Sequence, residues 1–347
     1  MLQDCLRYLS GRGDLHVTAI VHKRSLCDFP GIDYIEIPWS IGSWAKRLWC
    51  EYVTMHRISR RLPETDLWFS LHDTTPRVKA RRQAVYCHTS FPFMKIRRQD
   101  FRMDAKIPLF ALFTKYAYRA FSRRNSYLVV QSAWMRDAMA RLLPFDSRRI
   151  IVAPPAFRPM AIPETDSRQE NGMTTFFYPS TPDCHKNFEV LCEASRILER
   201  SVGKGRFRVI ITVNGSENRY AGWLRKQWGD VASLDFRGFL PQEELSRAYG
   251  EASCLVFPSR AETWGLPVTE FLPTGKPMLL ADLPYAHETA SGAPQVAFVP
   301  VSDAGILARR MRDVIDGNLS YFGPVKAVNI ESPCAHGWES LFEMLMS

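Results

Sequence analysis

Two glutamates eight residues apart, Glu262 and Glu270, flank a predicted strand-to-helix turn. The apolar run Leu255–Phe257 is typical of a buried strand, and a tryptophan and a glycine then allow a tight turn. Pro267 stands where a first-turn helix proline belongs. Because carboxylates accept hydrogen bonds from sugar hydroxyls and backbone N–H groups of such a turn can face a phosphate, the segment indicates a phosphate-and-sugar site.

The spacing alone is weak evidence, since a chain this rich in glutamate shows about one such pair by chance. The alternative interpretation is two solvated carboxylates at a helix end. The surrounding strand, turn and helix pattern therefore carries the prediction.

Short apolar strands alternate with helices through residues 174–281, and they include Thr174–Tyr178, Cys254–Phe257 and Met278–Ala281. This order predicts a parallel, doubly wound α/β sheet. We expect its first helix to be capped by Thr181 or Asp183. Ligands of such sheets bind outside the carboxyl ends of the strands, and Glu262, Lys186 and Asn214 all fall there.

The first half of the chain shows a similar but less regular pattern, with six strand candidates between His16 and Ala153. Pro154-Pro155 and the polar run Pro163 to Gly172 form the predicted interdomain linker. At 347 residues the chain is long for a single core, so two domains are expected.

The motifs resemble those of the retaining GT-B glycosyltransferases with an E-x7-E signature, the family 4 or group 1 type. Besides Glu262 and Glu270, the run Phe236–Phe239 followed by Pro241–Leu245 matches the family's F-x-G loop and the short helix after it. Lys186 stands where the family keeps a phosphate-binding lysine. The match is clear over most of residues 174–292 and looser in the first half.

The resemblance implies two Rossmann-like doubly wound parallel-sheet domains facing across a cleft. Residues 1–160 would form the acceptor-side N-terminal domain, and residues 161–332 the nucleotide-sugar-binding domain. Residues 333–347 would form a C-terminal helix that packs back on the N-terminal domain.

The same resemblance implies three catalytic residues. Glu262 would hydrogen-bond the donor sugar, Lys186 would neutralise the diphosphate leaving group, and His88 would lie near the reacting sugar. A surface lysine and a structural histidine are the alternatives for the last two. His72-Asp73 is a weaker acceptor-side pair.

Six further residues are expected to bind the donor nucleotide. Glu270 would bind the ribose hydroxyls, while Gly265 and Leu266 would give backbone N–H groups to the diphosphate. The others are Trp264, which shapes the turn, Phe239 beside the base, and Asn214. Each could instead be only a turn or core residue.

Two departures from the family pattern stand out. Thr181 holds the place of a family arginine, which leaves one leaving-group contact in doubt unless Arg260 or another base replaces it. The chain also opens with a helix-like segment, Leu2 to Leu9, where the family has a strand and a glycine-rich loop. We therefore expect an N-terminal domain without its first strand, either because the sequence starts late or because this copy has decayed.

The charge distribution is uneven. Residues 1–160 hold 27 Lys and Arg against 13 Asp and Glu, a net charge of +14, whereas residues 161–347 have a net charge of −5. Basic and aromatic residues are interleaved from Phe91 to Arg124, a composition that suits an anionic membrane surface. The alternative is an ordinary amphipathic helix with solvated arginines.

The sequence favours a reduced, cytoplasmic protein, because its eight cysteines include no C-x-x-C pair, no apolar run is long enough to span a bilayer and no signal-peptide pattern is present. The basic first half predicts peripheral association at the inner face of the plasma membrane. No Asp-x-Asp motif is present, so neither metal nor other cofactor is expected.

The function predicted is retaining transfer of a sugar from a nucleotide-diphosphate sugar to a polysaccharide or lipid-linked acceptor, as in O-antigen, lipopolysaccharide or capsule synthesis. One alternative is a noncatalytic GT-B relic that binds only nucleotide. The other is a basic nucleic-acid-binding protein, which dispersed arginines without a recognisable module disfavour.

Overall fold

The computed structural model describes residues 1–156, 161–163 and 172–347. The predicted linker Pro163 to Gly172 lies outside the described residues except at its two ends. None of the helices within these ranges is both long and apolar enough to cross a lipid bilayer.

Six α-helices and six strands occupy the chain up to residue 156. In chain order, and with the π-helical and 3-10 turns set aside, they are α1 (Leu2–Ser10), β1 (Val17–Val21), β2 (Ile32–Glu36), α2 (Trp44–Trp49), α3 (Met55–Ser59), β3 (Leu67–Ser70), β4 (Arg82–Cys87), α4 (Arg98–Met103), α5 (Lys106–Arg119), β5 (Tyr127–Val130), α6 (Ala133–Leu142) and β6 (Ile150–Val152); a π-helical turn, Cys50–Thr54, joins α2 to α3.

Strands and helices alternate in the described residues from 172 onward. They are β7 (Thr174–Tyr178), α7 (Phe188–Val202), β8 (Phe207–Ile211), α8 (Arg219–Trp228), β9 (Leu234–Phe236), α9 (Gln242–Glu251), β10 (Cys254–Phe257), α10 (Leu266–Phe271), β11 (Met278–Ala281), α11 (Pro284–Thr289), β12 (Val296–Val299), α12 (Ala304–Ile315) and α13 (Gly337–Met346).

By its internal contacts the chain divides into two compact units. The first unit contains Met1–Thr89, Thr114–Ala156 and Ile330–Ser347. The second contains Ser90–Phe113 and the described residues of Phe157–Asn329. The segment Ser90–Phe113 thus groups with the second unit, whereas the sequence-based boundaries place it in the N-terminal domain.

The second unit is built on one six-stranded parallel sheet in the order β12-β11-β10-β7-β8-β9. Its central strands are buried except at Thr174, the first residue of β7, as expected of a sheet covered on both faces. The strand order reverses between β7 and β10, and this topological switch point is where such sheets bind ligands. The predicted doubly wound α/β fold is confirmed.

The first unit contains a four-stranded parallel sheet, β3-β4-β5-β6, and a separate parallel pair, β1-β2. Among the described residues, no strand pairs with both β1 and β3. The last helix, α13, packs its Leu341 and Leu345 against β4, and Val152 of β6 exchanges backbone hydrogen bonds with Pro333 and Ala335.

The predicted start of α7 is wrong. The helix begins at Phe188, because Cys184–Lys186 form a 3-10 turn and Asn187 then takes a left-handed backbone conformation with φ of 62°. Neither predicted cap contacts its first turn through a side chain; instead, the Thr181 hydroxyl donates to the Asp183 carboxylate.

Candidate functional site

The loop between β10 and α10 carries Glu262 and is fixed at both ends. Tyr285 donates its hydroxyl hydrogen to the Ser259 carbonyl at 2.8 Å, and the Trp264 indole N–H donates to Thr269 at 2.8 Å. Gly265 has φ of 94°, and a Cβ there would lie 3.3 Å from Cε1 of Phe257. Only glycine fits this turn without strain, so the sharp bend after Glu262 follows from the sequence.

Lys186 and Glu262 meet in the second unit, although 76 residues separate them. The Lys186 Nζ lies 2.6 Å from Oε1 of Glu262, and their side chains are 16% and 12% exposed. They follow β7 and β10, the adjacent strands at the switch point of the sheet. The pair thus places a cation and a carboxylate at the position where a doubly wound sheet binds its ligand.

Arg260 connects the loop that carries Glu262 to the loop that carries Lys186. Its backbone N–H donates to the His185 carbonyl at 2.8 Å, and its guanidinium donates to the Cys184 carbonyl at 3.0 Å. The same guanidinium makes two bonds to the Asp100 carboxylate, at 2.5 and 3.2 Å. Both side chains of this pair are almost fully buried. Since its guanidinium is committed to these acceptors, Arg260 does not supply the missing leaving-group cation.

Asn187 joins the Lys186 loop to two others. Its side-chain amide donates to the carbonyls of Pro258 and Val301, at 3.1 and 2.8 Å, and its Oδ1 accepts from Arg97 at 3.1 Å. Asparagine tolerates the left-handed conformation found here, which most residues avoid. Position and conformation of the lysine loop are therefore set by a buried polar side chain.

Arg97, Asp100 and Asn187 are the supporting residues that sequence reasoning missed. Their long-range partners lie 71 to 204 residues away, so no local pattern identifies them. Burial and the nearby Arg260 lower the pKa of Arg97, while burial raises the pKa of Glu189, its ion-pair partner at 3.5 Å. The one available signal was Asn187 directly after the lysine, since asparagine is enriched at left-handed positions.

Glu270 lies on α10, after the turn. Its Oε2 accepts a hydrogen bond of 2.6 Å from the Tyr249 hydroxyl. Burial, together with this carboxylate, raises the pKa of Tyr249 well above its usual range. The tyrosine therefore stays protonated and holds Glu270 in one orientation.

Asn214 and the F-x-G loop form the remaining part of the predicted donor site. Gly238 has φ of 78°, and a Cβ there would come within 3.0 Å of the Asn214 side-chain nitrogen. Asn214 Oδ1 accepts from the N–H and the hydroxyl of Ser216, each at 2.7 Å. Phe239 is 85% exposed. The structure thus places Asn214 beside the loop and leaves an aromatic ring uncovered after it.

His88 lies in the first unit, immediately after β4. Its backbone N–H donates to Asp73 Oδ1 at 2.7 Å, and Thr89 donates its hydroxyl hydrogen to Oδ2 at 3.0 Å. Asp73 itself has φ of 70°. The carboxylate of the His72-Asp73 pair therefore fixes the loop that carries His88.

Eight of the nine predicted site residues lie in the second unit. They are Lys186, Asn214, Phe239, Glu262, Trp264, Gly265, Leu266 and Glu270. Within the described parts of the chain, no three His, Cys, Asp or Glu side chains are grouped so that they could hold a metal ion.

The second unit is a doubly wound sheet with a candidate site at its switch point, and comparisons with known proteins give the GT-B fold. Residues 175–317 match the family model for glycosyl transferases group 1. The match lies entirely within the second unit of the chain.

One curated relative is the O-antigen chain mannosyltransferase RfbU of Salmonella typhimurium (strain LT2). It is 25% identical over 223 residues, which cover 62% of this chain and 56% of RfbU. The chain therefore matches only about half the length of that relative.

Solved structures show the same fold at low identity. WaaG, a glycosyltransferase involved in lipopolysaccharide biosynthesis, has a TM-score of 0.61 at 16% identity, covering 91% of this chain and 86% of WaaG. S. aureus TarM, solved as a mutant with Fondaparinux, α-GlcNAc-glycerol and UDP, has a TM-score of 0.52 at 11% identity, covering 68% of this chain and 44% of TarM.

Proposed function

We propose that this chain is a glycosyltransferase that moves a sugar from a nucleotide-diphosphate sugar to a polysaccharide or lipid-linked acceptor with retention of anomeric configuration. The observation that carries the proposal is the Lys186–Glu262 pair, 2.6 Å apart at the switch point of the second unit's sheet. The group 1 glycosyltransferase model matched by residues 175–317, together with the similarity to RfbU and WaaG, favours a role in cell-surface polysaccharide synthesis.

The donor diphosphate would displace Glu262 from Lys186. A lysine ammonium is a compact point charge, and opposite a developing diphosphate it stabilises the leaving group. Glu262, released from the ammonium, would then accept hydrogen bonds from the sugar hydroxyls. The backbone N–H groups of Gly265 and Leu266 would add donors to the diphosphate at the same turn.

The nucleoside would lie along the carboxyl ends of the neighbouring strands. Glu270, oriented by Tyr249, would accept from the ribose hydroxyls, and the exposed ring of Phe239 would cover the base beside Asn214. TarM was solved with UDP, which supports a nucleoside diphosphate as the donor's leaving group here. His88 of the first unit would donate a hydrogen bond near the reacting sugar.

Retention would need no protein nucleophile in this scheme. The leaving diphosphate, held by Lys186, remains on the face where the acceptor hydroxyl arrives, so positioning and electrostatics supply most of the acceleration. The proposal includes metal independence, action on the cytoplasmic side and peripheral contact of the basic first unit with the inner face of the plasma membrane. Nucleic acid is not among the proposed partners.

The test starts with thermal shifts against UDP, GDP and ADP sugars, because any ligand of the folded state raises its stability by mass action. Transfer is then measured with the donor that binds. Glu262→Ala should lower kcat/KM by about 10²–10³, the cost of losing one charge-stabilising contact, at unchanged thermal stability. Glu243→Ala on α9, an exposed glutamate of the same unit, is the matched control.

Three results would contradict parts of the proposal. If Glu262→Ala turns over as fast as the wild type, the catalytic role proposed for the Lys186–Glu262 pair is wrong. A product of inverted anomeric configuration, read by NMR, removes retention, and loss of transfer in EDTA removes metal independence.

A second candidate function is nucleotide binding without transfer. It is favoured by the first unit's strands, which form two separate sheets in the described residues. Donor binding with no transfer to any lipid-linked or polysaccharide acceptor, in both the wild type and Glu262→Ala, would support this candidate instead.

A further inference from the structure

A groove of about 640 Å³ lies on the first unit, at the end of α5 and the end of α6. It is lined by three arginines, Arg119, Arg123 and Arg141, and by Phe121, Ser122, Leu142, Leu143 and Pro144. All three arginines are exposed. In the described part of the chain, none of them lies within ion-pair distance of a carboxylate.

Other arginines of the same region hydrogen-bond backbone carbonyls of the protein, whereas Arg123 and Arg141 of the groove make no such bond in the described residues. Arg124 donates to the Val78 carbonyl at 2.9 Å, and Arg149 donates to the Asn125 and Ser126 carbonyls. Arg119 has a single bond of this kind, to the Leu142 carbonyl at 3.1 Å. The groove arginines therefore keep most of their N–H donors directed at solvent.

The backbone at the groove is strained. Phe121 has φ of 58° and ψ of 8°, a left-handed conformation that is uncommon for a bulky residue. Its ring nevertheless packs against Tyr52, with ring centroids 5.4 Å apart, and remains partly exposed. Strain of this kind persists only where surrounding structure imposes it, and it is concentrated at functional sites.

An exposed aromatic surface adjoins the groove through Tyr52. That residue belongs to the π-helical turn that continues α2, where Trp44 and Trp49 are 58% and 55% exposed. Tyr116, on the last turn of α5, is also exposed. Tryptophan and tyrosine side chains of this kind favour the boundary between lipid headgroups and acyl chains.

We propose that the groove of Arg119, Arg123 and Arg141 binds the phosphate group of an anionic bilayer lipid, while the neighbouring exposed aromatic side chains enter the headgroup region. Guanidinium forks match phosphate oxygens in pairs, and three uncompensated cations in one groove repel one another until an anion binds. The aromatic surface selects a lipid over a free phosphate, since a dissolved anion gives tryptophan no apolar partner. This inference extends the proposed peripheral membrane contact to a defined site.

The experiment is sedimentation of the full chain with phosphatidylcholine vesicles, with and without phosphatidylglycerol. Replacing all three groove arginines by glutamine should weaken partition to the anionic vesicles on the order of 100-fold, because each basic residue at such a surface contributes about 1 kcal/mol, or about fivefold. Binding to phosphatidylcholine alone should change little. High salt should reduce the difference between wild type and variant.

The matched control removes the same charge elsewhere on the first unit, by replacing Arg77, Lys79 and Arg81 with glutamine. Equal loss of vesicle partition in the two triple variants would overturn the assignment of the lipid site to the groove, since only a diffuse attraction between the basic unit and the anionic surface would then be supported. Trp44→Ala with Trp49→Ala should also weaken partition; if it does not, the aromatic part of the inference is wrong.

Two further measurements separate the alternatives. Binding of inorganic phosphate is measured by titration calorimetry of the wild type and of the triple arginine variant. If the heat of binding depends on the arginines while vesicle partition is unchanged in the variant, the groove binds a soluble phosphate and the proposed lipid site is wrong. Thermal shift by the donor nucleotide is recorded in parallel. If donor binding fails while arginine-dependent vesicle binding persists, the proposed function fails and the lipid site stands.

Discussion

Arg260 in the second unit and Arg123 in the first unit are the same residue type in opposite surroundings. The guanidinium of Arg260 is buried and donates to the Asp100 carboxylate and to the carbonyl of Cys184, two residues before Lys186. Arg123 is exposed on the groove and has no carboxylate within ion-pair distance in the described residues. Buried arginine thus supports the shape of one site, whereas exposed arginine is available to a ligand at the other.

The largest expected effect comes from removing the partner of the buried arginine. Asp100→Ala leaves Arg260 charged and uncompensated inside the second unit. We expect a loss of about 3–5 kcal/mol in the free energy of unfolding, the range measured when one member of a buried pair is deleted. Urea unfolding, followed by tryptophan fluorescence, measures the loss.

Arg123→Ala is the control from the other side of the comparison. As a surface substitution it should change the free energy of unfolding by no more than about 0.5 kcal/mol. A variant that replaces both Asp100 and Arg260 by leucine should recover much of the loss, since apolar residues can replace a buried pair. If Asp100→Ala and Arg123→Ala cost the same, the contrast between the two arginines is wrong.

Local patterns predicted most of the second unit. The strands Thr174–Tyr178, Cys254–Phe257 and Met278–Ala281 lie where the apolar runs placed them, because buried strands of a parallel sheet are continuously apolar. The start of α7 was misplaced, since Asn187 reaches carbonyls 71 and 114 residues away to hold its left-handed conformation. Hydrogen bonds of a side chain to residues so far along the sequence produce no periodic pattern from which they could be predicted.

The candidate site also contains residues that the sequence predicts and residues that it does not. Motif spacing identified Glu262 and Lys186, and the structure brings them together. No local pattern marks Asp100, because its role depends on an arginine 160 residues later. The arginine groove could not be predicted for a related reason. The sequence shows a basic, aromatic run, but it does not show which arginines hydrogen-bond backbone carbonyls of the protein.

A smaller effect is expected at the turn that follows Glu262. Gly265→Ala must adopt φ near 94° and bring its Cβ to 3.3 Å from Phe257. The left-handed conformation costs an alanine about 1–2 kcal/mol, and the contact adds to it. We expect this loss of stability together with weaker nucleotide binding, measured by urea unfolding and by thermal shift.

Gly275→Ala separates the two contributions. Gly275 also has positive φ, of 65°, but an added Cβ there would meet nothing within 4 Å. Its substitution should show only the conformational cost and should leave nucleotide affinity unchanged. Equal losses of affinity in the two variants would show that the bend at Gly265 does not position the donor site.

The smallest effect concerns two buried or partly buried histidines, one in each unit. Burial, reinforced by Lys186 and Arg260, holds the pKa of His185 well below its usual range. Burial also lowers the pKa of His72 in the first unit, but the nearby Glu51 opposes this shift. His185 should therefore contribute more than His72 to the loss of stability in acid.

The sign follows from proton uptake. Below the unfolded pKa of about 6.5 the unfolded chain binds a proton that folded His185 does not, so stability falls with decreasing pH, by at most about 1.4 kcal/mol per pH unit for one histidine. His185→Asn should flatten the dependence of the free energy of unfolding on pH between neutrality and mild acid. His72→Asn should flatten it less; the reverse order would mean that Lys186 and Arg260 do not set the protonation of His185.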